Sequence, residues 1–466
     1  MEKTARIVHD VRQVAPSPRV VAPRLMRRQV AAGPLVTLAT AAAACGARER
    51  GAMPAPAPAT QGVVIRFGSK DTAPDSLAYL AQLVKEDFEP AFPGARVEIE
   101  PLTGGYFEKL QAQLAAGTEP DTARVDEYYL PFLVAREALR PLDPYASRDP
   151  QFDPRQLFPA PWKAGQYRGK FYGLSTGPNG YLIVYNQTAF EQAGLKPPPA
   201  DYRDRTWTWN RLREDALRLT RRGATGRETR FGFLWDVSLL SRLSSQLYAN
   251  GGKVVDRLED PRRGALNDPR TLELLQLYQD MRYRDRSIPF DDDIAGQGAG
   301  ATLVARGRLA MAVSLTNVGP TFRDVPFTWD FAPLPRPNGG GPAGTTIITN
   351  VYAMLKSTRH PELSWAWVRI MGGPKHALWH VRHKEFLPAW KPLGPEYLKL
   401  QPPEHRHVAL DLSDYGTPSI TSPRYVELQD IIIPGLAPVW QGEAPAKQVV
   451  EQLMPRIDEL LRGAAS

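Results

Sequence analysis

The chain predicts an α/β protein built on mostly parallel sheets, and three observations carry that expectation. Short apolar runs alternate with amphipathic stretches from residue 63 onward. The 466 residues hold a single cysteine, so no internal disulfide is available and the body must be stable through packing alone. An export-type segment and a Pro/Ala-rich stretch come before the first apolar run, which sets the folded body apart from what precedes it.

In chain order, Arg27-Arg28 precede an apolar, small-residue run over 30–44 that ends in Ala42-Ala43-Ala44-Cys45-Gly46. Positive charge, a short hydrophobic core and small residues at a cleavage point form an export signal. The run falls short of the roughly 20 residues that a bilayer span needs. The residues before Cys45 are similar to a bacterial lipobox, so residues 1–45 are expected to be a signal peptide whose cleavage leaves a lipidated Cys45. An ordinary secretory signal with an incidental cysteine is the alternative. Met26 is a candidate for the true start, and Arg27-Arg28 leave general and twin-arginine export both open. Residues 46–62 contain Pro54-Ala55-Pro56-Ala57-Pro58, which favours extended polyproline II and reads as a semi-stiff tether.

About 400 residues remain, enough for two or more domains. Hydrophobic content of 42% and charged content of 23% are ordinary for a globular protein. The net charge of +8 comes from basic residues interspersed with acids, with no basic helix, so no nucleic-acid partner is expected.

The body opens with a β-rich run at 63–67, then a helical stretch with Leu77, Leu80, Leu83, Val84 and Phe88 on one face. A strand at 95–100, a helix at 106–116 stopped by Gly117, a strand at 122–125 and a helix at 130–139 follow. Strand and helix in alternation argue for a parallel sheet, and such sheets bind ligands at the carboxyl ends of their strands. Those ends are Ser69-Lys70-Asp71, residues 102–106, and Asp126-Glu127-Tyr128.

From Gly169 the text becomes more specific. Gly169-Lys170-Phe171-Tyr172-Gly173-Leu174 is followed by Tyr181-Leu182-Ile183-Val184-Tyr185-Asn186, Phe190-Glu191-Gln192-Ala193-Gly194-Leu195 and Thr206-Trp207-Thr208-Trp209. Leu247-Tyr248-Ala249-Asn250-Gly251-Gly252, Gly307-Arg308-Leu309-Ala310-Met311, residues 329–335 and the Pro361-Glu362 helix start come later in the same order. This ordered set, over residues 63–460, resembles the extracellular solute-binding proteins of ABC importers, the maltose-binding-like family 1. Ser175-Thr176-Gly177 stands where that pattern has proline, and Thr316-Asn317-Val318 where many members carry tryptophan.

The resemblance implies a two-lobe periplasmic-binding-protein (type II) fold, each lobe a mostly parallel sheet flanked by helices, with the ligand in the interlobe cleft. It implies lobe one at 63–176 plus 351–412 and lobe two at 177–344 plus 413–466. Hinge crossings are expected near 174–180, 344–350 and 410–418. It also implies a monomer that traps a sugar or sugar derivative by closure, passes it to the permease transmembrane subunits, and is held at the outer face of the membrane by its lipid. No cofactor is expected.

Four other patterns carry competing chemistries. Gly173-Leu174-Ser175-Thr176-Gly177 has the spacing of a nucleophile elbow, which requires a helix directly after the serine, whereas Pro178-Asn179-Gly180 and a β-type run follow. His376, His380 and His383 fall at i, i+4 and i+7 but lack the glutamate of a zinc protease helix, so surface histidines are expected there. Asp291-Asp292-Asp293 lacks the spaced ligands of a calcium loop. Gly296-Gln297-Gly298-Ala299-Gly300 misses the dinucleotide spacing and follows no strand.

The expected substrate-binding residues are Tyr106, Asp126, Glu127, Tyr128, Asn179, Tyr181, Trp235, Asp236, Asn317, Asn350 and Trp390. Aromatic faces suit the apolar C–H face of a sugar, and amides and carboxylates suit its hydroxyls. Trp329 and Trp365 are assigned to packing. The alternative is a secreted glycosidase or lyase working through two converging cleft carboxylates, with Asp126, Glu127 and Asp236 as the candidates.

Overall fold

The computed structural model describes residues 60–463 apart from residues 103, 342 and 343, and only the backbone of residues 176, 227, 413 and 414. The expected signal peptide, Cys45 and most of the tether lie outside the described residues. The first part of the body runs β1 (Val64–Ser69), α1 (Pro74–Leu83), β2 (Arg96–Pro101), α2 (Tyr106–Ala116), β3 (Thr122–Asp126) and α3 (Leu130–Ala135). α2 is bounded by Gly105 and Gly117, whose φ values of 63° and 66° lie in the left-handed region that glycine adopts without strain. α3 ends earlier than the 130–139 expected. Glu137 has φ 54°, which breaks the helix, and Leu139 then bridges to Leu355 at the sheet.

The chain then forms a small hairpin, β4 (Gln166–Tyr167) and β5 (Lys170–Phe171). Its turn residues Arg168 and Gly169 both have positive φ, as a two-residue hairpin loop of that hand requires. Six strands complete the fold: β6 (Gly173–Asn186), β7 (Phe231–Leu234), β8 (Leu309–Leu315), β9 (Trp329–Ala332), β10 (Thr345–Met354) and β11 (Gly416–Pro418). Among the described residues the large sheet has nine strands in the order β2-β1-β3-β10-β6-β8-β7, with β11 beside β10 and β9 beside β6. β1 pairs in parallel with β2 and β3, and β7 with β8, whereas β6 and β10 pair antiparallel to each other and to their neighbours β8 and β3.

β6 and β10 are the two long strands at the centre of the sheet. The first residues of β6, Gly173 to Ser175, pair with β10, and its last, Tyr181 to Tyr185, pair with β8. Between these, the register slips at Thr349/Val351, opposite Pro178. Proline has no N–H to give to a ladder, so it sits where the pairing is already broken by a bulge. Gly177 and Gly180 lie in the same stretch, where a Cβ would collide with the Leu387 carbonyl oxygen or the Leu412 side chain. Residues 173–177, the G-x-S-x-G pattern, therefore lie within a continuous strand with no helix after the serine.

Alternation along the strands divides the core by face. Around β10, Tyr352 and Met354 pack with Ile65, Phe67 and Trp367, and Val351 and Ala353 pack with Phe107, Leu110 and Val125. Along β6, Tyr181, Ile183 and Tyr185 face one cluster, and Leu182 and Val184 face another that takes in Val381, Leu387, Tyr397 and Leu412. α4 (Trp209–Leu219) starts at Thr208, whose hydroxyl accepts the Arg211 N–H, and buries Trp209, Leu212, Ala216 and Leu219. α5 (Leu240–Ala249), α6 (Pro361–Met371), α7 (Pro374–Lys384), α8 (Tyr425–Gly435) and α9 (Ala446–Arg462) supply the other helices that frame the site. Trp329 and Trp365 are buried, and the Trp365 indole donates to Asp149. No described helix is long and apolar enough to cross a membrane.

Candidate functional site

The ends of β1 and β3 place charged residues side by side. Lys70 Nζ donates to both carboxylate oxygens of Asp126, at 2.9 and 2.7 Å, and lies 5.5 Å from the centre of the Tyr106 ring. The Tyr106 hydroxyl donates to the Gly68 carbonyl at 3.3 Å. Asn350 is the cross-strand partner of Asp126, and its Oδ1 is buried with no hydrogen-bond partner among the described residues. One register step deeper, Arg124 Nη1 donates to both oxygens of Asp71, at 3.0 and 2.9 Å. Arg124, Asp126, Lys70, Asp71, Tyr106 and Asn350 thus form one wall whose charges are paired within the protein.

Glu127, the next residue, is buried where β3 gives way to β11 alongside β10. Its carboxylate accepts the Thr349 N–H at 2.7 Å and the Ser419 hydroxyl at 2.8 Å, filling the gap in the ladder at the β10 bulge. Burial pushes this carboxyl up to about 8, against the pull of the two hydrogen bonds. Glu127 was expected to hold substrate; in this structure both its oxygens are held by the hinge backbone and Ser419.

Tyr128 stacks on Tyr425, the first residue of α8, with ring centres 4.6 Å apart and planes at 22°. Tyr129 meets Tyr128 edge-on and stacks on Phe107 at 3.6 Å. The Tyr181 hydroxyl bonds the Ser241 hydroxyl of α5 at 3.2 Å. Burial, and then the nearby charge of Glu127, raises the Tyr425 hydroxyl well above its ordinary range, so the hinge carboxylate and this aromatic cluster adjoin.

On the β6, β7 and β8 side, Asn179 Oδ1 accepts the Thr316 hydroxyl at 2.8 Å, and Asn317 follows, partly exposed. Asp236 pairs with Arg242, and its Oδ1 accepts from the Ser238 N–H at 3.0 Å and hydroxyl at 2.7 Å. The candidate carboxylates of a hydrolytic site are therefore each committed to protein partners.

Two expected platforms lie in packed cores. Trp390 packs in the cluster around Phe67 and Trp367, edge-on to Phe152, with its indole donating to the Gly372 carbonyl at 2.8 Å. Trp235 stacks on Trp209 at 5.5 Å and meets Tyr278 edge-on. Two of the three histidines on α7 are also placed differently from the surface reading: His376 and His380 are buried, and His383 is exposed. The sequence reading passed over Tyr425, Arg124, Ser241, Arg242 and Ser419. An aromatic residue opening a helix just past the third crossing was the available signal for Tyr425.

A mixed sheet flanked by helices, with two long strands at its centre and polar and aromatic residues gathered at its strand ends, defines an α/β binding protein. The bacterial extracellular solute-binding protein profile matches residues 71–377, and the chain belongs to that family. Solved structures with the same fold include an ABC substrate-binding protein of Listeria monocytogenes in complex with cycloalternan, at 23% identity and TM-score 0.75, covering 86% of this chain and 99% of that one. UgpB of Mycobacterium tuberculosis in complex with glycerophosphocholine is 20% identical with TM-score 0.72, at 86% and 99% coverage. The GacH receptor of Streptomyces glaucescens, solved unliganded and with acarbose, is 18% identical with TM-score 0.71, at the same coverage.

Proposed function

We propose that this protein is the solute-binding receptor of an ABC importer, and that it captures a saccharide or sugar derivative between its lobes and releases it chemically unchanged to the permease. In this reading it is no enzyme. The lobes run over 63–176 plus 351–412 and 177–344 plus 413–466, and Cys45 carries the lipid that holds the monomer at the outer face of the membrane. The long strands β6 and β10 and the short β11 support these crossings.

One observation carries the ligand reading. Tyr128 and Tyr425, which the proposed boundaries assign to opposite lobes, stack on each other between the Lys70–Asp126 pair and the Tyr181–Ser241 pair. Aromatic faces flanked by oriented donors and acceptors suit a sugar ring and its hydroxyls. The two rings lie 4.6 Å apart, which leaves no room for a guest between them. Capture therefore requires the lobes to part, separating the two tyrosines, and to close again on the guest.

Calorimetric titration with a panel of saccharides and polyols, paired with small-angle scattering, tests this. Saturable binding, a smaller radius of gyration with ligand and recovery of the intact sugar are expected. Tyr425→Ala should weaken any hit by roughly tenfold to a hundredfold. Scattering that is unchanged by a tightly bound sugar, or recovery of the sugar as fragments, would refute the reading.

A further inference from the structure

Outside the seam, five arginines face one groove. Arg136, Arg168, Arg257, Arg262 and Arg424 line it, and Asp260 lies among them in an open groove of about 800 Å³. The groove contains none of the residues assigned to the sugar site, although Arg424 is the chain neighbour of Tyr425.

The acids near these arginines pair with only two of them, Arg168 and Arg424. Asp260 accepts the Tyr167 hydroxyl at 2.6 Å and Arg168 Nε at 2.9 Å, so its charge is already shared. Glu427 pairs with Arg424 at 3.2 Å. Asp256, on the same loop as Arg257 and Arg262, turns one oxygen to the backbone N–H groups of Arg257, Arg262 and Arg263 at 3.0 to 3.3 Å. Among the described residues, no hydrogen bond or ion pair holds the Arg262 guanidinium.

Two of the arginines are held in place by something other than an anion. The Arg136 guanidinium carbon lies 3.4 Å from the centre of the Phe132 ring, and Arg257 Nε donates to the Asp260 carbonyl at 2.8 Å. Their remaining N–H groups stay free for an incoming ligand. Guanidinium forks match the paired oxygens of phosphate and carboxylate groups, and an anion that relieves the crowding of like charges gains from several of them at once.

We propose that this groove is a second binding site for a small anion carrying two or more phosphate or carboxylate groups. The proposal does not depend on the identity of the solute taken by the seam. Calorimetric titration of the full chain with inorganic pyrophosphate tests it, with orthophosphate at matched ionic strength and vesicles containing phosphatidylglycerol as separate arms. The expected result is saturable binding of about one pyrophosphate per chain, weakened by salt. Arg136→Gln and Arg262→Gln should each weaken it by roughly tenfold. Arg96→Gln on the exposed face of β2 should leave it unchanged.

Both groove variants remove exposed side chains, so unfolding midpoints without ligand should match the parent protein and saccharide titrations should be unaltered. Absence of saturable pyrophosphate binding, binding that survives both groove substitutions, or binding to the vesicles alone would overturn the proposal.

Discussion

On the wall built from the ends of β1 and β3, cations and carboxylates are paired before any ligand arrives, and the deeper pair is nearly sealed. The Arg124 side chain is 9% exposed and that of Asp71 16%. On the wall built from β6, β7 and α5, the corresponding pair, Arg242 with Asp236, is 30% and 24% exposed, and the rest of the surface is hydroxyl and aromatic. The first wall is a fixed lattice of charge-assisted bonds. In the second, solvent reaches the Arg242–Asp236 pair, while Tyr181, Ser241, Asn179 and Thr316 are buried behind it. A receptor that must open and close gains from this asymmetry, since one rigid face keeps the register while the other adapts.

The largest effect that would break this comparison is on stability. Arg124→Met strands the Asp71 carboxylate in a site that water barely reaches, and it is expected to cost about 3–5 kcal/mol. Arg242→Met leaves Asp236 with its Ser238 bonds and with solvent, and should cost less than about 1 kcal/mol. Denaturant unfolding of the two variants measures both. Similar costs would show that the walls do not differ in this way.

Glu127 lies where the walls meet, and its titration sharpens the contrast. Its folded value of about 8 lies above the unfolded carboxylate value of 4.5, so folding favours the protonated form. Its contribution to stability is therefore fully present below about 4.5 and is lost as the pH rises toward 8. Glu127→Gln keeps a neutral group that accepts hydrogen bonds in the same place. Its unfolding midpoint should fall less steeply between pH 5 and 9 than that of the parent protein, by a few kcal/mol across the window. Parallel pH profiles would show that Glu127 stays ionised in the hinge.

How far the sequence foretold the site depended on whether a residue's setting was local. The strand ends at Asp126-Glu127-Tyr128 were readable because β3 and the helices beside it follow from periodicity and glycine stops within a short window. Tyr106 opens α2 at the residue expected for the same reason. Trp390 and Trp235 looked like platforms because an aromatic residue beside a loop is ambiguous until its neighbours are known, and Phe152, Trp209 and Tyr278 are far away in sequence. Tyr425 and Ser419 reach Tyr128 and Glu127 only across the third crossing, a sequence separation of nearly 300 residues in each case. Nothing local at Ser419 marks it as a partner for a buried carboxylate.

The smallest effect concerns the helix packed behind the charged wall. His380 is 3% exposed, and neither of its ring nitrogens has a hydrogen-bond partner among the described residues. Its neighbour His376 donates from Nδ1–H to the Met371 carbonyl, 2.7 Å away. Burial is the main cause that drives His376 down to about 4 and His380 well below its ordinary value. The charges of Arg124 and of the neighbouring ring act in the same direction on His380, as do Lys384 and His383. Both histidines are therefore neutral when folded. Their contribution is present above about 6.5 and is lost as the pH falls toward 4, because the unfolded chain binds protons there and the folded chain does not. His380→Leu replaces an unpaired buried ring with an apolar group among Trp379, Phe386 and His376. It should stabilise the protein by about 1 kcal/mol at neutral pH and flatten the acid limb of the stability profile. A loss of stability at neutral pH would mean instead that a hydrogen bond at His380, mediated by solvent, helps hold the charged wall rigid.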